Sequence, residues 1–281
     1  MSSSLDLNEY KRAIANFYDL RSSNYDVGEW RQQICYNLLD YVHVGSGQFV
    51  LNIGTGTGQL AIAAAKMVGD QGSVVGIDIS TQMLAKALPK AEKLALNNVK
   101  FQLADAEQLD YPHSYFDYIL CAHTFPWISH KEAALKSWHH LLKSGGRIAV
   151  HTPADTAYVG AVVLRQLLKA YDIAVEPSNR IGSQEECRNL LSRSGFEGIE
   201  IKQEQHGSYV DFDSAYSYWH SIIENPSELS LKVSSKVFEL SAAQLATIKS
   251  EFTAALSELH TREGVWNDLT TLYLLARKAE G

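Results

Sequence analysis

The chain has 281 residues, of which 46% are hydrophobic, and a formal net charge of −7 from 25 basic and 32 acidic side chains. This length and composition allow one large domain with a small accessory part to bury an ample core. The acidic balance, with no basic stripe along the sequence, argues against a nucleic-acid partner.

A glycine-rich segment at residues 49–58, FVLNIGTGTG, predicts a buried strand that runs into a tight turn. Its three glycines stand at every second position, and a helical pattern over Gln59–Val68 follows at once. Glycines let a ligand approach the backbone, and a helix N-terminus offers free amide groups. Asp78 comes twenty residues after the turn, at the end of a second predicted strand, where a carboxylate can bind ribose hydroxyls. The pattern predicts a site for a nucleoside-containing small molecule.

The spacing of the glycines distinguishes between the classes of ligand that such a turn can bind. The dinucleotide fingerprint is G-x-G-x-x-G, whereas this turn reads G-x-G-x-G and has Gln59 in the sixth position. The lysine of a P-loop is absent as well. A tight strand-to-helix turn that binds no ligand remains the alternative for this segment alone.

The alternation of strands and helices continues downstream. The predicted elements are a strand at 74–80, a helix at 80–96 capped by Ser80 or Thr81 and kinked at Pro89, a strand at 98–105, a strand at 115–122, a helix at 131–146 stopped by Gly145 and Gly146, and a strand at 147–153. Repeated units of this kind predict a parallel sheet with helices on both faces. Gly54, Asp78, Asp105 and His123 all fall at carboxyl ends of strands, where such sheets bind ligands. We expect them to meet in one crevice.

Five motifs carry a family resemblance: VLNIGTGTG, VGDQGSVVGIDIS, LADAEQL, YFDYILCAHTF and HHLLKSGGRIAV. With these motifs in order, residues 10–152 resemble class I S-adenosylmethionine-dependent methyltransferases, and most of all the small-molecule branch with the ubiquinone/menaquinone-biosynthesis type enzymes. The resemblance implies an α/β, Rossmann-like seven-stranded sheet, mostly parallel with an antiparallel last strand. It also implies a helical N-terminal flap at 1–45, a cofactor-binding domain at 46–206 and 263–281, and a helical lid or substrate-binding insert at 207–262.

The resemblance also implies roles for residues of the crevice. The residues that would contact the methionine part of S-adenosylmethionine are Gly54, Thr55 and Gly56. The residues that would contact the nucleoside are Asp78 at the ribose hydroxyls, Ile79 and Met83 on the adenine, Asp105 at its amino group, and the Ala106 backbone along the ring. Ala122 and His123 would border the sulfonium. Many members of the family have an acid in place of Asn52 and Cys or Ala in place of Thr55, but an amide at Asn52 can still accept a hydrogen bond from the cofactor.

The N-terminal stretch at 15–42 resembles the Tyr-Asp helices that close over the cofactor in this family. Tyr25 is the candidate for a cofactor contact there, and Tyr18 for a substrate contact. Aromatic side chains form cores by default, so the alternative is that both only attach a helical flap to the sheet.

The C-terminal third predicts a helix at 185–196, a sixth strand at 197–205 and a seventh at 265–278 with apolar Leu269, Leu272 and Leu274. In the resembled fold the insert between these strands begins and ends beside the active site. It holds a predicted helix at 241–259, opened by a Ser241-x-x-Gln244 capping box. The apolar face of this helix comprises Leu245, Ile248, Phe252, Leu256 and Leu259. The helix is either a packing element or part of a lid whose inward-facing residues are Tyr216, Tyr218, Trp219 and His220.

The predicted methyl transfer needs few catalytic groups from the protein, because a sulfonium is an activated methyl donor. His123 is the best placed candidate for a general base, since an imidazole titrates near neutral pH. The further candidates for substrate contact are Phe125, His151, Tyr216 and Trp219. For His123 and His151 the alternative is a polar pocket wall. No HxxxH or CxxC spacing occurs, so no metal is expected.

Three functional hypotheses follow. The first is methyl transfer from S-adenosylmethionine to an oxygen, nitrogen or carbon of a small, fairly apolar metabolite, with S-adenosylhomocysteine as product. The second is cyclisation or elimination on the same fold, and the third is cofactor binding without catalysis. We expect a cytoplasmic protein without a membrane span, because the three cysteines are scattered, no signal-peptide pattern opens the chain, and no apolar run reaches about 20 residues.

Overall fold

The computed structural model describes residues 5–27, 30–173, 181–227 and 235–281. The helices are α1 Glu9–Arg21, α2 Trp30–Val42, α3 Gln59–Val68, α4 Thr81–Lys93, α5 Lys131–Leu141, α6 Val159–Lys169, α7 Gln184–Arg193, α8 Phe212–Trp219 and α9 Ala242–Glu258. The strands are β1 Phe49–Ile53, β2 Ser73–Asp78, β3 Val99–Leu103, β4 Phe116–Cys121, β5 Leu142–Pro153, β6 Glu197–Gln205, β7 Ser208–Val210, β8 His260–Thr261, β9 Gly264–Asn267 and β10 Thr270–Arg277. Short 3₁₀ turns lie at Phe125–Trp127 and Ser235–Glu239, and a π turn at His220–Glu224.

Seven strands form one sheet in the order β3-β2-β1-β4-β5-β10-β6. The sheet is mostly parallel with one antiparallel strand, which confirms the predicted Rossmann-like fold. The chain starts in the middle of the sheet at β1, builds outward through β2 and β3, and then returns to pair β4 with the other side of β1. Open α/β sheets bind ligands at the carboxyl ends of the strands beside such a reversal. The topology therefore predicts a ligand site at the segments that follow β1, β2 and β4.

Apolar side chains hold the first half of the sheet against its helices. The strand β1 is buried at Val50, Leu51, Asn52 and Ile53, which is the pattern of a strand covered on both faces. The alanine-rich face of α3 packs against it in a core cluster that also takes in the apolar face of α2. Helix α2 is thus packed on the sheet domain itself.

Two compact units account for the chain. The first comprises 1–152, 183–202 and 272–281, and the second comprises 153–182 and 203–271. The first unit takes in residues 1–45, and the second takes in α6 and β9 beside the helices α8 and α9. The predicted division into flap, cofactor-binding domain and insert stays a prediction. Parts of the predicted domains, at 1–4, 28–29, 174–180 and 228–234, lie outside the described residues.

The second unit has a hydrophobic core of its own. Helices α6, α8 and α9 pack together around the buried rings of Trp219 and Phe252, whose centroids lie 5.4 Å apart. A small sheet in the order β7-β9-β8 accompanies them. The predicted capping box of α9 is confirmed, with both hydrogen bonds between Ser241 and Gln244 formed. Leu259 was expected on the buried face, but this is wrong: it follows the last turn of α9 and is 47% exposed.

Two predicted elements need correction. The helix predicted at 131–146 ends at Leu141, because Leu142 already has extended dihedral angles and begins β5. The two glycines that were expected to stop the helix, Gly145 and Gly146, instead lie in a bulge of β5, where the register with β4 shifts. The strand predicted at 265–278 is two strands, β9 and β10, which belong to different sheets.

Candidate functional site

A cavity opens at the carboxyl ends of the first strands, within the first unit. Of the twelve residues predicted to bind the cofactor, those that line it are Tyr25, Gly54, Gly56, Asp78, Ile79, Met83, Asp105, Ala106 and His123. Tyr18, predicted to contact substrate, lines it too. The sheet topology thus brings together residues that are up to about a hundred positions apart in sequence.

The glycine turn after β1 forms one wall of the cavity. Gly54 and Gly56 both have positive φ, of 62° and 54°. A Cβ atom on Gly54 would lie 1.8 Å from the Oγ1 atom of Thr124, which comes from the turn after β4. The absence of a side chain at Gly54 therefore allows the two strand ends to approach each other closely.

The carboxylate of Asp78 is held at the end of β2 by backbone amides. Gly56 N–H donates to it at 2.8 Å and Ser80 N–H at 2.9 Å. Burial raises the pKa of Asp78 to about 6, although these amide hydrogen bonds oppose the shift. The hydrogen bonds orient the carboxylate, and Ile79 and Met83 line the cavity beside it.

A buried ion cluster closes another part of the cavity. The Nζ atom of Lys11 in α1 lies 2.7 Å from Asp105 and 2.8 Å from Glu107. The side chains of all three residues are about nine-tenths buried. Burial alone would lower the pKa of Lys11, but hydrogen bonds to the two carboxylates outweigh it and raise the pKa. The lysine neutralises part of the negative charge that Asp105 and Glu107 bring to the cavity.

The N-terminal segment is attached over the cavity at two further points. Asp19, near the end of α1, accepts hydrogen bonds from the Ser80 hydroxyl at 2.5 Å and from the Gln82 amide at 3.0 Å. Asp26 accepts one from the Thr57 hydroxyl and forms a 2.6 Å ion pair with Lys90. These contacts join the segment to the turn before α3 and to both ends of α4.

Aromatic rings form the wall contributed by the N-terminal segment. The ring of Tyr18 meets Tyr25 edge to face at 5.9 Å and Trp127 at 6.2 Å, and all three line the cavity. Burial raises the pKa of Tyr18 far above its ordinary value, so its hydroxyl keeps its proton at any ordinary pH. These rings make this wall of the cavity apolar, and their hydroxyl and indole N–H groups are its polar atoms.

His123 begins the turn after β4 and has a left-handed backbone, with φ of 59°. Its N–H donates to Nδ1 of His151 at 3.3 Å, and its ring lies 5.2 Å from that of Trp30. The Nε2 atom of His123 is buried without a hydrogen-bond partner. Burial lowers the pKa of His123 to about 4, and the nearby charge of Arg31 lowers it further against an opposing contribution from the Arg31 backbone. The imidazole is therefore neutral near pH 7.

The rest of this turn is held by a buried lysine. The Nζ atom of Lys131 donates to the carbonyl oxygens of Pro126, at 3.2 Å, and Ile128, at 2.9 Å. Burial lowers the pKa of Lys131 to about 8. These bonds satisfy carbonyl groups at the end of the 3₁₀ turn and hold Trp127 and Ile128 against the cavity.

The other predicted site residues do not line the cavity. Asn52, Thr55 and Ala122 are buried at the ends of β1 and β4. Phe125 is fully buried, with its ring centroid 6.4 Å from that of Trp138, and the ring centroid of His151 lies 4.6 Å from that of His123. Tyr216 and Trp219 pack into the core of the second unit, where Trp219 is 2% exposed. The Oδ1 atom of Asn52 and the Oγ1 atom of Thr55 are buried without partners.

Several cavity residues were not expected from sequence. These are Lys11, Ile14, Ile77, Ala104, Glu107, Thr124, Trp127 and Ile128. Glu107 lies two positions after Asp105, the residue predicted at a strand end, and this closeness in sequence could have indicated that Glu107 lines the cavity. Nothing in the sequence singles out Lys11, because a lysine in an amphipathic helix is expected to face solvent.

The strand order, with its reversal between β1 and β4, is that of the Rossmann-like methyltransferase fold. A family model described as "Methyltransferase domain" matches residues 45–195. The chain belongs to this family of S-adenosylmethionine-dependent methyltransferases of small-molecule type.

Two relatives are similar to this chain in sequence, and one solved structure is similar to it in fold. The aklanonic acid methyltransferase DauC of a Streptomyces species is 33% identical over 150 residues, covering 53% of this chain and 68% of the relative. The ubiquinone/menaquinone biosynthesis C-methyltransferase UbiE of Yersinia enterocolitica is 30% identical over 209 residues, covering 68% and 82%. The crystal structure of the [4+2]-cyclase SpnF is similar in fold, with a TM-score of 0.59 and 18% identity, over 99% of this chain and 100% of that one.

No helix in the described ranges of the chain has both the length and the apolar character that crossing a bilayer requires. Nor do these ranges contain a group of three or more His, Cys, Asp or Glu side chains suited to a metal ion.

Proposed function

We propose that the cavity of the first unit binds S-adenosylmethionine and that the protein transfers its methyl group to a small, fairly apolar metabolite. The observation that carries the proposal is Asp78, whose amide-held carboxylate faces the cavity beside the glycine turn. A carboxylate in this position can accept hydrogen bonds from two ribose hydroxyls, and Ile79 and Met83 offer an apolar surface for a base.

The residues present fit this cofactor. Gly54 and Gly56, which have positive φ, leave room for the amino-acid part of the ligand. Asp105, just after β3, offers a hydrogen-bond acceptor to the ligand. The unpartnered Oδ1 atom of Asn52 lies at the end of the same strand as the glycine turn. An unpartnered buried acceptor is costly, and a ligand ammonium group that reached it directly or through water would relieve that cost. No metal has a part in this proposal.

Orientation supplies most of the rate enhancement in the proposed mechanism. When bound, the cofactor supplies an electrophilic methyl group on a sulfonium. The aromatic wall of Tyr18, Tyr25 and Trp127 confines the acceptor and excludes water, and alignment of reacting atoms can contribute on the order of 7–11 kcal/mol in favourable cases. An apolar wall of this kind suits an apolar acceptor.

His123 is the proposed proton acceptor for an acceptor group that must lose a proton. Its Nε2 atom has no partner in the described part of the chain, and the ring is neutral near pH 7. Its hydrogen-bonded neighbour His151 holds the backbone of His123 in place. A hydroxyl or an acidic C–H group placed against Nε2 would give its proton to that nitrogen. The electron pair released there would form the bond to the methyl carbon, and the S–CH3 bond of a bound sulfonium would break to leave the neutral thioether of S-adenosylhomocysteine.

The names of the relatives guide the choice of acceptors. One relative acts on aklanonic acid and another is a C-methyltransferase of ubiquinone/menaquinone biosynthesis. Ring compounds with hydroxyl groups or acidic C–H positions are therefore the first candidates, and the accepting atom is oxygen, nitrogen or carbon. Three buried free thiols, at Cys35, Cys121 and Cys187, support the predicted location in the cytoplasm.

Calorimetry tests the cofactor part of the proposal. We expect micromolar binding of S-adenosylhomocysteine, lost in Asp78→Ala. The absence of binding at millimolar ligand would overturn the proposal.

Incubation with S-adenosylmethionine bearing a deuterated methyl group tests the transfer. Mass spectrometry of a panel of hydroxylated ring compounds should show a labelled product. Turnover of a compound without the label would favour cyclisation or elimination instead, and binding of cofactor without turnover of any compound would favour a non-catalytic protein.

A further inference from the structure

We propose that Lys131 and Glu107 position the turn after β4 for the methyl acceptor, and that Lys131 acts from outside the cavity. This turn, residues 123–130, carries Trp127 and Ile128, which both line the cavity. Lys131 is the first residue of α5 and is buried, but it is not among the lining residues. The inference rests on the proposed function, and it assigns part of the selection of the acceptor to a side chain that does not line the site.

The ammonium group of Lys131 binds the carbonyl groups of the turn. Its Nζ atom donates to the carbonyl oxygen of Pro126 at 3.2 Å and to that of Ile128 at 2.9 Å. These two residues flank Trp127 in the sequence, so the bonds fix the backbone on either side of this cavity residue. Hydrogen bonds from a charged donor are about twice as strong as those between neutral groups. An apolar side chain at position 131 would take this donor away from both carbonyl groups.

The carboxylate of Glu107 binds the amide groups of the same turn. It accepts hydrogen bonds from the N–H of Ser129 at 3.3 Å and from that of His130 at 2.7 Å. Burial would raise the pKa of Glu107, but hydrogen bonds from Lys11 and from these amides outweigh it and lower the pKa. The carboxylate is therefore charged near pH 7. A cation thus holds the carbonyl groups of the turn, and an anion holds its amides.

Glu107 also connects the turn to α1. The Nζ atom of Lys11 in α1 lies 2.8 Å from the Glu107 carboxylate. The same helix carries Tyr18, and the ring centroid of Tyr18 lies 6.2 Å from that of Trp127. A displacement of the turn would therefore change the space that the aromatic wall leaves for an acceptor. We infer that the bonds of Lys131 and Glu107 help to determine which acceptor shapes fit.

The burial of Lys131 makes its bonds sensitive to pH. Burial lowers the pKa of Lys131 to about 8, although Glu107 and Cys121 oppose the shift. These two facing groups do not titrate in this range, because the pKa of Glu107 is lowered and burial raises the pKa of Cys121 to about 12. A neutral amine is a weaker donor than an ammonium group. The hold on the two carbonyl groups should therefore weaken as the pH rises from 7 to 9.

Fluorine NMR of protein labelled with 5-fluorotryptophan tests this positioning without any ligand. The chain has five tryptophans, and the variant Trp127→Phe identifies the resonance of Trp127. In the wild type this resonance should shift between pH 7 and pH 9 with a midpoint near 8. In Lys131→Met it should be displaced already at pH 7 and should not titrate over this range.

Kinetics test the consequence for the acceptor. The probe is the ring compound that yields the deuterium-labelled product. Lys131→Met should raise KM for this compound about tenfold or more, as expected for the loss of charge-assisted hydrogen bonds, and should change the affinity for S-adenosylhomocysteine by less than about twofold. Lys131→Arg keeps the charge and the donors and should recover part of the loss.

Lys136 provides a matched control in the same helix. It forms a 2.7 Å ion pair with Glu132 on the exposed surface of α5. Lys136→Met should leave the Trp127 resonance, the KM for the acceptor and the affinity for S-adenosylhomocysteine unchanged. The resonances of the other tryptophans report whether each variant is folded.

Several outcomes would overturn the inference. One is an identical Trp127 resonance in the wild type and in folded Lys131→Met, and another is an equal loss of affinity for acceptor and cofactor. If Lys131→Met does not fold, the wild-type titration decides, and a Trp127 resonance that stays constant from pH 7 to pH 9 would count against the inference. If the wild type does not bind S-adenosylhomocysteine at millimolar concentration, the proposed function fails, whereas the Trp127 resonance still decides whether Lys131 holds the turn.

Discussion

Lys11 in the first helix forms a 2.7 Å ion pair with Asp105, ninety-four residues further along the chain. The pair joins the N-terminal segment to the end of the third strand, and Glu107 shares the same ammonium group at 2.8 Å. The cavity wall on this side depends on a charge cluster that is almost entirely removed from water.

Loss of the lysine should destabilise the protein strongly. Lys11→Met leaves two buried carboxylates side by side without a counter-ion, and removal of one partner of a buried pair costs about 3–5 kcal/mol. Urea unfolding at pH 7 measures the loss. Lys136→Met is the control, because Lys136 pairs with Glu132 on an exposed helix surface and should contribute less than about 1 kcal/mol. Equal effects of the two substitutions would contradict a buried cluster.

The affinity for S-adenosylhomocysteine should fall below pH 6. Burial raises the pKa of Asp78 to about 6, so the carboxylate that is proposed to accept the ribose hydroxyls becomes protonated as the pH falls through that value. Hydroxyl donors favour the charged form, so binding should lower this pKa and release a proton near pH 6. From pH 7 to pH 5 we expect about a tenfold loss of affinity. Calorimetry in buffers of different ionisation enthalpy measures both effects.

Asp78→Asn is the control for this pH dependence. Its residual affinity should be weak and nearly constant from pH 5 to pH 7. A pH dependence that persists unchanged in Asp78→Asn would assign the titration to another group.

Close packing at the glycine turn should be visible in a pair of alanine variants. Gly54 and Gly47 both have positive φ, of 62° and 78°, so alanine strains the backbone at either position. A Cβ atom on Gly54 would also lie 1.8 Å from Thr124, whereas one on Gly47 would meet nothing within 4 Å. Gly54→Ala should therefore lose ligand binding and more thermal stability than Gly47→Ala. Similar melting temperatures and affinities for the two variants would argue against the close approach of these strand ends.

His123 allows a test of strain and chemistry together. Its φ of 59° is unfavourable for residues with a Cβ atom, by roughly 1–2 kcal/mol. We expect His123→Gly to be more stable to urea than His123→Ala, although both lose the imidazole. If the ring is the proton acceptor, added imidazole should partly restore methyl transfer in His123→Gly. A lack of any rescue, with cofactor binding intact, would count against the proposed base.

The sequence alone predicts the sheet domain well where local signals and burial agree. The strand before the glycines, the helix at Gln59–Val68 and the cap at Ser80 all occur as expected, because glycine conformations and N-cap hydrogen bonds are local properties. Asp78 and Asp105 face a common cavity because parallel strands end at one edge.

Other features depend on contacts that the sequence does not encode locally. Lys11 is expected to be solvent-exposed until the fold brings Asp105 and Glu107 to it. An aromatic run such as that around Tyr216 and Trp219 suits a pocket and a core equally well, and the structure places it in the core of the second unit. Phe125 and Trp127 are two positions apart in one 3₁₀ turn, yet only Trp127 lines the cavity. The ring of Phe125 is buried instead, with its centroid 6.4 Å from that of Trp138.

The reversal of strand order between β1 and β4 divides the cavity into two parts with separate origins in the chain. The turns after β1, β2 and β3 supply the groups proposed for the amino-acid part and the nucleoside of the cofactor, whereas the single turn after β4 supplies His123 and Trp127. A library of substitutions confined to positions 123–128 would therefore vary the part of the cavity proposed for the methyl acceptor and leave the proposed nucleoside contacts unchanged. Directed evolution of this short segment could select for new methyl acceptors while the methyl donor stays the same.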